Sequence, residues 1–200
     1  MMRNTFSLQT VPVQVYHVRM RFAFLRGSVL CTVFLAACAS GTVQQPPSGW
    51  SAYEHADMGV RMFHPSDWTY AEGGAGEERA VIFSAPEGGD LGNASLAVQP
   101  LPEAAMDLDA YTAYYVDAMQ PALQEQGLSV EILTSERATM AGQPAHQLIF
   151  TMAGGDSTKA IMLWTLRSGR VYTFNYAAPE AAFDASAPVM RGMLESIVLR

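Results

Sequence analysis

The sequence predicts an α+β fold in which an antiparallel β-sheet is flanked by helices. Two observations support this fold class. From Lys159 to Ala178, two runs of β-favouring residues meet at Ser168-Gly169, which is the signal of a hairpin. From residue 51 onward, the segments follow the order β-rich, helical, β-rich and helical, which is typical of an antiparallel sheet with helices packed against it.

The predicted hairpin is apolar on both faces. Pairing across the turn places Arg167 opposite Arg170 and Leu163 opposite Phe174. One face then carries Ile161, Leu163, Thr165, Tyr172, Phe174 and Tyr176, and the other carries Met162, Trp164, Leu166 and Val171. A strand pair with two apolar faces belongs in the middle of a sheet that is covered on both sides. We therefore expect the rest of the domain to pack around this hairpin.

The chain begins with the pattern of an export signal. After Met20, basic residues precede an apolar run that is too short to span a bilayer and that ends in Leu35-Ala36-Ala37-Cys38. This ending resembles the lipobox of bacterial lipoproteins, in which the Cys is acylated and the preceding peptide is removed. We predict a lipoprotein signal peptide over residues 1–37, with Met20 as the true start, and lipidation of Cys38. The alternative is an ordinary secretory signal with a coincidental cysteine.

The residues after the signal predict a tether and one exported domain. Residues 38–50 comprise the lipidated Cys38 and a polar, uncharged stretch, and residues 51–200 form the domain. Acyl chains contribute about 0.8 kcal/mol per buried CH₂, so Cys38 would hold the domain at a lipid bilayer. We expect it to face the periplasm of a bacterial envelope. By resemblance to the sorting rule of enteric bacteria, Ala39 in place of Asp favours the outer membrane.

The charge balance argues against nucleic acid as a partner. Four of the 12 Lys and Arg residues precede Cys38, whereas all 19 acidic residues follow it. The chain from Cys38 onward therefore has eight basic and nineteen acidic residues, a formal net charge of −11. Binding to phosphates requires basic patches, which this composition does not favour.

Local patterns predict the remaining elements in order. The expected β-segments are the hairpin Tyr53–Pro65, Ala80–Phe83, Ala94–Val98, Val130–Thr139 and Ala145–Met152. Asp107 is expected to cap a helix that runs to about Met119, with Leu108, Tyr111, Tyr115, Ala118 and Met119 on its inner stripe. Pro121 should kink this helix or start a second short turn. After the central hairpin, Pro179 to Asp184 should turn the chain, and Ser186 should cap a last helix.

The chain resembles the PsbP-like family, which includes bacterial envelope lipoproteins of the DcrB type. The matching segments are Gly59-Val-Arg-Met-Phe-His-Pro-Ser-Asp-Trp68, Phe83-Ser-Ala-Pro86, Leu96-Ala-Val98, Gly142-Gln-Pro-Ala145, Gly169-Arg-Val-Tyr-Thr-Phe174 and Met193-Leu-Glu-Ser-Ile197. The resemblance implies an α-β-α sandwich and a family mostly of non-enzymatic binding or assembly factors. It transfers no functional residues, because these segments are structural signatures.

We therefore predict a membrane-anchored, non-catalytic module that binds or assembles another envelope protein and needs no cofactor. A second hypothesis is a carrier or sensor of a small apolar molecule or metal, with a groove lined by Tyr111, Tyr114, Tyr115 or Trp164. A third hypothesis is a hydrolase whose active site has no recognisable motif. The sequence contains no Gly-x-Ser-x-Gly turn, which is the nucleophile motif of α/β-hydrolases.

Histidines and carboxylates of the first hairpin are weak candidates for a metal site. His55, Asp57, His64 and Asp67 carry nitrogen and oxygen atoms that zinc binds. The simplest hairpin register does not pair His55 with His64, and no Cys is available in the domain. We interpret these four residues as ordinary surface and turn residues. His146 shares a predicted strand face with apolar residues, which favours a hydrogen-bonded core or rim histidine over a catalytic base.

Overall fold

The computed structural model describes residues 45–87, 91–154 and 157–200. In this part of the chain, ten strands and two helices are present. The strands are β1 (Trp50–His55), β2 (Val60–Pro65), β3 (Thr69–Gly73), β4 (Arg79–Ser84), β5 (Asn93–Pro100), β6 (Ser129–Met140), β7 (Gln143–Ala153), β8 (Thr158–Arg167), β9 (Arg170–Pro179) and β10 (Val198–Leu199). The helices are α1 (Leu108–Glu125) and α2 (Glu180–Glu195). The predicted signal peptide, Cys38 and tether residues 39–44 lie outside the described residues.

The predicted central hairpin forms the middle of a seven-stranded antiparallel sheet. The strand order is β3-β4-β5-β9-β8-β7-β6, and the β8–β9 register pairs Leu163 with Phe174 as predicted. Both turn residues have positive φ, 52° at Ser168 and 73° at Gly169. This is the type I′ geometry of two-residue hairpins, whose twist matches that of the strands. The turn therefore sets the register, and the register sets the two faces.

Each face of the seven-stranded sheet contributes to a separate hydrophobic core. Leu163 and Phe174 belong to the core that α2 and the first hairpin cover. Trp164 and Val171 belong to the core that α1 covers. The prediction of an antiparallel sheet flanked by helices is confirmed, and the sheet is covered on both sides as expected.

The first hairpin forms a small second sheet, whereas the sequence analysis predicts only one sheet. β1 pairs with β2, and the two-residue strand β10 adds to the other side of β2 through Val198 and Leu199. Trp50, the last residue of the predicted tether, is the first residue of β1. The turn after β2 returns Trp68 to the core, where its side chain is buried.

Helix α1 begins as predicted but extends beyond its predicted end. The Asp107 carboxylate accepts a hydrogen bond from the Ala110 N–H at 2.8 Å. The helix then continues through Pro121, so the expectation of a second short turn is wrong. Pro121 removes one backbone hydrogen bond from the helix. Met119 before it and Leu123 after it are buried and hold the helix to the sheet. Ala118, expected on the inner stripe, is exposed.

Helix α2 begins six residues before its predicted cap. It starts at Glu180 immediately after β9, so the predicted turn from Pro179 to Asp184 is wrong. Ser186 lies inside the helix, and its hydroxyl donates a hydrogen bond to the Phe183 carbonyl at 2.7 Å. Inside a helix a hydroxyl can donate to a carbonyl of the preceding turn, whereas at a helix start it would accept from a backbone N–H. The apolar spacing in the sequence predicts that Val189, Met190, Met193, Leu194 and Ile197 face inward. All five are buried or partly buried, although Ile197 lies beyond the end of α2.

The two outermost strands of the large sheet differ in how well their sequences predict them. The sequence pattern predicts β6 but not β3, because all five residues of β3 are exposed and show no apolar alternation.

Within the described residues, neither helix combines the length and hydropathy that a membrane-spanning helix needs.

Candidate functional site

An open groove lies between α1 and the strands β6 and β7. It has a volume of about 330 Å³. The helix contributes Asp109, Thr112, Ala113, Val116 and Asp117, and the strands contribute Ser135, Arg137 and His146. The helical residues recur at intervals of three and four, so they form one stripe along α1. The groove therefore follows the helix axis.

The side chain of Trp164 supports the floor of the groove. The His146 ring stacks on the Trp164 ring, with 5.2 Å between centroids and an interplanar angle of 25°. The indole N–H of Trp164 donates to the Thr112 hydroxyl at 3.0 Å, and that hydroxyl donates to the Leu108 carbonyl at 2.7 Å. Helix and sheet are thus joined by a directed polar contact beneath the groove.

Two polar pairs form the wall of the groove. The Arg137 guanidinium binds the Asp109 carboxylate at 2.5 Å, and their side chains are 75% and 67% exposed. An ion pair this exposed contributes at most about 1 kcal/mol to stability. Ser135 Oγ lies 2.9 Å from His146 Nε2. The pairs leave polar groups facing solvent, which suits recognition of a polar or charged partner.

His146 is neutral at pH 7 in this setting. Burial is the largest cause and lowers the pKa of its imidazole. The Asp109 carboxylate opposes this, the Arg137 cation lowers the pKa to a smaller extent, and the Glu136 carboxylate raises it least. A neutral imidazole can accept the hydroxyl hydrogen of Ser135 or donate its own. Within the described chain, His146 makes no other hydrogen bond, so no third group orients it as in a catalytic triad.

The predicted metal candidates do not come together. His55 and His64 lie at opposite ends of the first hairpin, where His55 pairs with Val60 and His64 with Ser51. His64 is buried, and its Nδ1 donates to the Pro65 carbonyl at 2.9 Å. Asp57 lies in the turn after β1 and Asp67 in the turn after β2. Among the described residues, no group of three or more His, Cys, Asp or Glu side chains is placed to bind a metal ion.

The aromatic residues considered for an apolar ligand serve mainly as packing. Tyr111 and Trp164 are fully buried and contact each other edge to face at 6.4 Å between centroids. Tyr115 packs on Trp164 at 5.2 Å, and burial raises its pKa to about 12. Tyr114 is exposed on the helix surface. The space predicted for an apolar ligand is filled by these side chains.

Sequence reasoning missed most of the groove. It identifies His146 as a hydrogen-bonded core or rim histidine, but it does not group Asp109, Asp117, Ser135 and Arg137 with it. A polar stripe on a helix ordinarily faces solvent, and these residues are separated by up to 37 positions in the chain. The position of α1 across β6 and β7 is needed to connect them.

Two histidines with lowered pKa values predict a pH-dependent stability. Burial lowers the folded-state pKa of His64 and His146 from the ordinary value of 6.5. Below pH 6.5 the unfolded chain therefore binds more protons than the folded chain, so stability is lost as the pH falls. We expect urea unfolding at pH 7.5, 6.5 and 5.5 to show this loss. His64→Asn and His146→Asn should each flatten it, and an unchanged pH slope in both variants would contradict the assignment.

Comparison with known proteins gives a fold but no family assignment. No family model and no curated protein matches the sequence. The solution structure of cyanobacterial PsbP (CyanoP) from Synechocystis sp. PCC 6803 matches with a TM-score of 0.63 and 18% identity, over 83% of this chain and 99% of that chain. The protein therefore has a PsbP-like fold, as the resemblance implied. At this identity the similarity shows the fold alone.

Two further solved structures are more distant. LpqN, involved in cell envelope biogenesis of Mycobacterium tuberculosis, matches with a TM-score of 0.48 and 14% identity, over 75% of this chain and 90% of that chain. PA94, a protein of unknown function from Pseudomonas aeruginosa, matches with a TM-score of 0.46 and 19% identity, over 76% of this chain and 99% of that chain. Both scores are below 0.5, so neither supports an inference about this chain.

Proposed function

We propose that this protein is a lipid-anchored module of the bacterial envelope that binds another envelope protein without catalysis. The observation that carries the proposal is the groove between α1 and the β6–β7 hairpin, an open and charged recess beside an outermost strand. Its lining includes an exposed ion pair and the carboxylate of Asp117, which forms no ion pair with any other described residue. Such a surface is suited to contacts with polar protein segments rather than to enclosing a small molecule.

The anchor at Cys38 supports this function because it raises the effective concentration of the domain near its partners. A domain tethered near the bilayer meets other envelope proteins at a raised effective concentration, so it needs no tight intrinsic affinity. The charge of −11 from Cys38 onward favours partners with basic surfaces and disfavours anionic lipid surfaces. By the sorting rule applied to Ala39, we assign the anchor to the outer membrane, facing the periplasm.

Two alternative functions have less support. A carrier of an apolar molecule would have to displace Tyr111 or Trp164, which are fully buried. A hydrolase has one observation in its favour, the contact between Ser135 and His146. That pair lacks the orienting third group that activates a serine nucleophile.

A matched pair of photo-crosslinking positions tests the proposal. Tyr114 lies on α1 three residues before the groove residue Asp117, so the two are neighbours on the helix surface, and Tyr70 lies on β3 at the opposite end of the sheet. Both tyrosines are exposed, with 41% and 53% of their surface accessible. We would replace each with benzoylphenylalanine in the lipidated protein, in its own cells. We expect a discrete protein adduct from position 114 and none from position 70.

The anchor is tested in the same cells. Cys38→Ala should move the protein out of the membrane fraction and strongly reduce the adduct at position 114. A full adduct yield without the lipid would show that tethering is irrelevant. Equal adducts from both positions, or none from either, would contradict binding at the groove.

A further inference from the structure

Strand β6 has a regular outer edge. It is the last strand in the order of the seven-stranded sheet, so one of its edges has no strand partner among the described residues. The β6–β7 register shifts between Ile132 and Thr134, which makes Leu133 a bulge, but Thr134–Met140 then pairs with Gln143–Ile149 without interruption. A regular, unpaired edge presents outward N–H and C=O groups that can bind another strand.

We propose that the segment Thr134–Met140 docks an extended, basic strand of the partner protein. This inference rests on the proposed function and names the surface and the chemistry of the partner. The edge of β6 forms backbone hydrogen bonds with the docked strand, and the charged groove beside it selects a basic strand.

The charge at this edge indicates a basic partner. Asp109 and Asp117 on α1 line the groove together with the single guanidinium of Arg137. Strand β6 adds two more carboxylates, Glu131 and Glu136, which alternate onto the opposite face of the sheet. These five groups carry a formal net charge of −3. Complementary charge raises the association rate and selects against acidic strands.

Asp117 is the carboxylate that an incoming cation would meet. Asp109 is already paired with Arg137, and Glu136 accepts a hydrogen bond from the Gln147 side chain at 3.1 Å. Asp117 lines the groove but has no hydrogen bond or ion pair with any other described residue. A lysine or arginine that enters the groove can therefore bind it without breaking an existing contact.

The alternation of side chains along the partner strand would place one of its cations near Asp117. Ser135 and Arg137 are two residues apart on β6, and both line the groove. Side chains of an added strand alternate in the same way, so every second residue would lie on the groove side, about 7 Å from the next. A strand paired along the whole of Thr134–Met140 places several side chains on the groove side. The proposed ion pair requires that one of them is a cation near Asp117.

The same charges disfavour pairing of two copies of this chain through β6. The five charged groups near this edge carry the same formal net charge of −3 in each copy, so two copies repel each other, whereas a basic strand is attracted. Charge thus distinguishes the proposed partner from self-association.

A peptide titration tests the proposal directly. The probe is a short synthetic strand of alternating threonine and valine, as long as Thr134–Met140, with two lysines on the same face, added up to millimolar concentration. The ¹⁵N-labelled full chain in detergent micelles is followed by its amide chemical shifts. We expect saturable shifts confined to Thr134–Met140 and the groove stripe of α1. Asp117→Asn should weaken binding about three- to fivefold, which corresponds to one partly exposed ion pair.

Two modified peptides serve as controls. A peptide with glutamates in place of the lysines should not bind, and a peptide N-methylated at alternate amides should not bind because it cannot pair with the edge. The proposal is overturned by an absence of shifts, by shifts elsewhere, by equal binding to Asp117→Asn, or by concentration-dependent shifts of β6 without peptide, which would show self-pairing. A negative titration combined with an adduct at position 114 would reject this surface but keep the binding function.

Discussion

Replacement of Trp164 by alanine is expected to lower the free energy of unfolding by about 3–5 kcal/mol. The side chain is fully buried at the centre of the core beneath α1. It contacts the rings of Tyr111, Tyr115 and His146, and its indole N–H donates to Thr112. Alanine would remove these ring contacts, leave a cavity between helix and sheet, and break the hydrogen bond that joins the indole to α1.

Chemical denaturation and thermal unfolding measure this loss. For a domain of this size, it corresponds to a decrease in Tm of roughly 10 °C. Trp164→Phe retains most of the volume but loses the hydrogen bond, so its loss should be smaller. Tyr114→Ala on the same helix removes an exposed ring and should cost less than about 1 kcal/mol. Equal losses for Trp164→Ala and Tyr114→Ala would contradict the described core.

The expected change at Trp164 also extends to the groove. His146 stacks on the Trp164 ring, so truncation of the tryptophan removes the support of the groove floor. In the titration with the lysine peptide, Trp164→Phe should keep most of the binding. Under the proposed function, stability and recognition both depend on Trp164, since the contact that fixes α1 on the sheet also forms the recess.

The sequence is most informative where the local pattern and the tertiary position agree. Successive side chains of β8 and β9 point to alternate faces of the sheet, and the Ser168-Gly169 turn specifies the register. Its two faces can therefore be assigned from the sequence alone. The Asp107 cap is predictable for the same reason, because a side chain three residues before a helical N–H acts locally.

Long-range contacts account for what the sequence does not predict. β10 has two residues and becomes a strand only because β2 lies beside it. Helix α2 starts at Glu180, whose N–H donates to the Ser157 carbonyl at 3.0 Å, a contact between residues far apart in the chain. The groove depends on how α1 lies against β6 and β7, which no local pattern specifies. Asp117 consequently has the appearance of an ordinary solvated residue in the sequence.

The second large effect is expected at Gly92, immediately before β5. Its φ is +73°, and a Cβ atom at this position would lie 2.1 Å from the Ala177 carbonyl oxygen and 2.8 Å from the Ala178 Cα atom. Both obstacles are backbone atoms of β9, the central strand that pairs with β5. Gly92→Ala should therefore separate β5 from β9 locally and cost more than about 3 kcal/mol.

Gly169 is a matched control, because it has the same φ of +73° but an added Cβ atom would meet nothing within 4 Å beyond its chain neighbours. Gly169→Ala should cost only the conformational penalty of about 1–2 kcal/mol. The difference between the two variants in urea unfolding therefore isolates the steric contact with β9. If both variants lose the same stability, the close approach of Gly92 to Ala177 is not maintained in solution. A larger loss at Gly92 would show that the half of the sheet containing β3, β4 and β5 is held to the central hairpin by a backbone contact that only glycine permits.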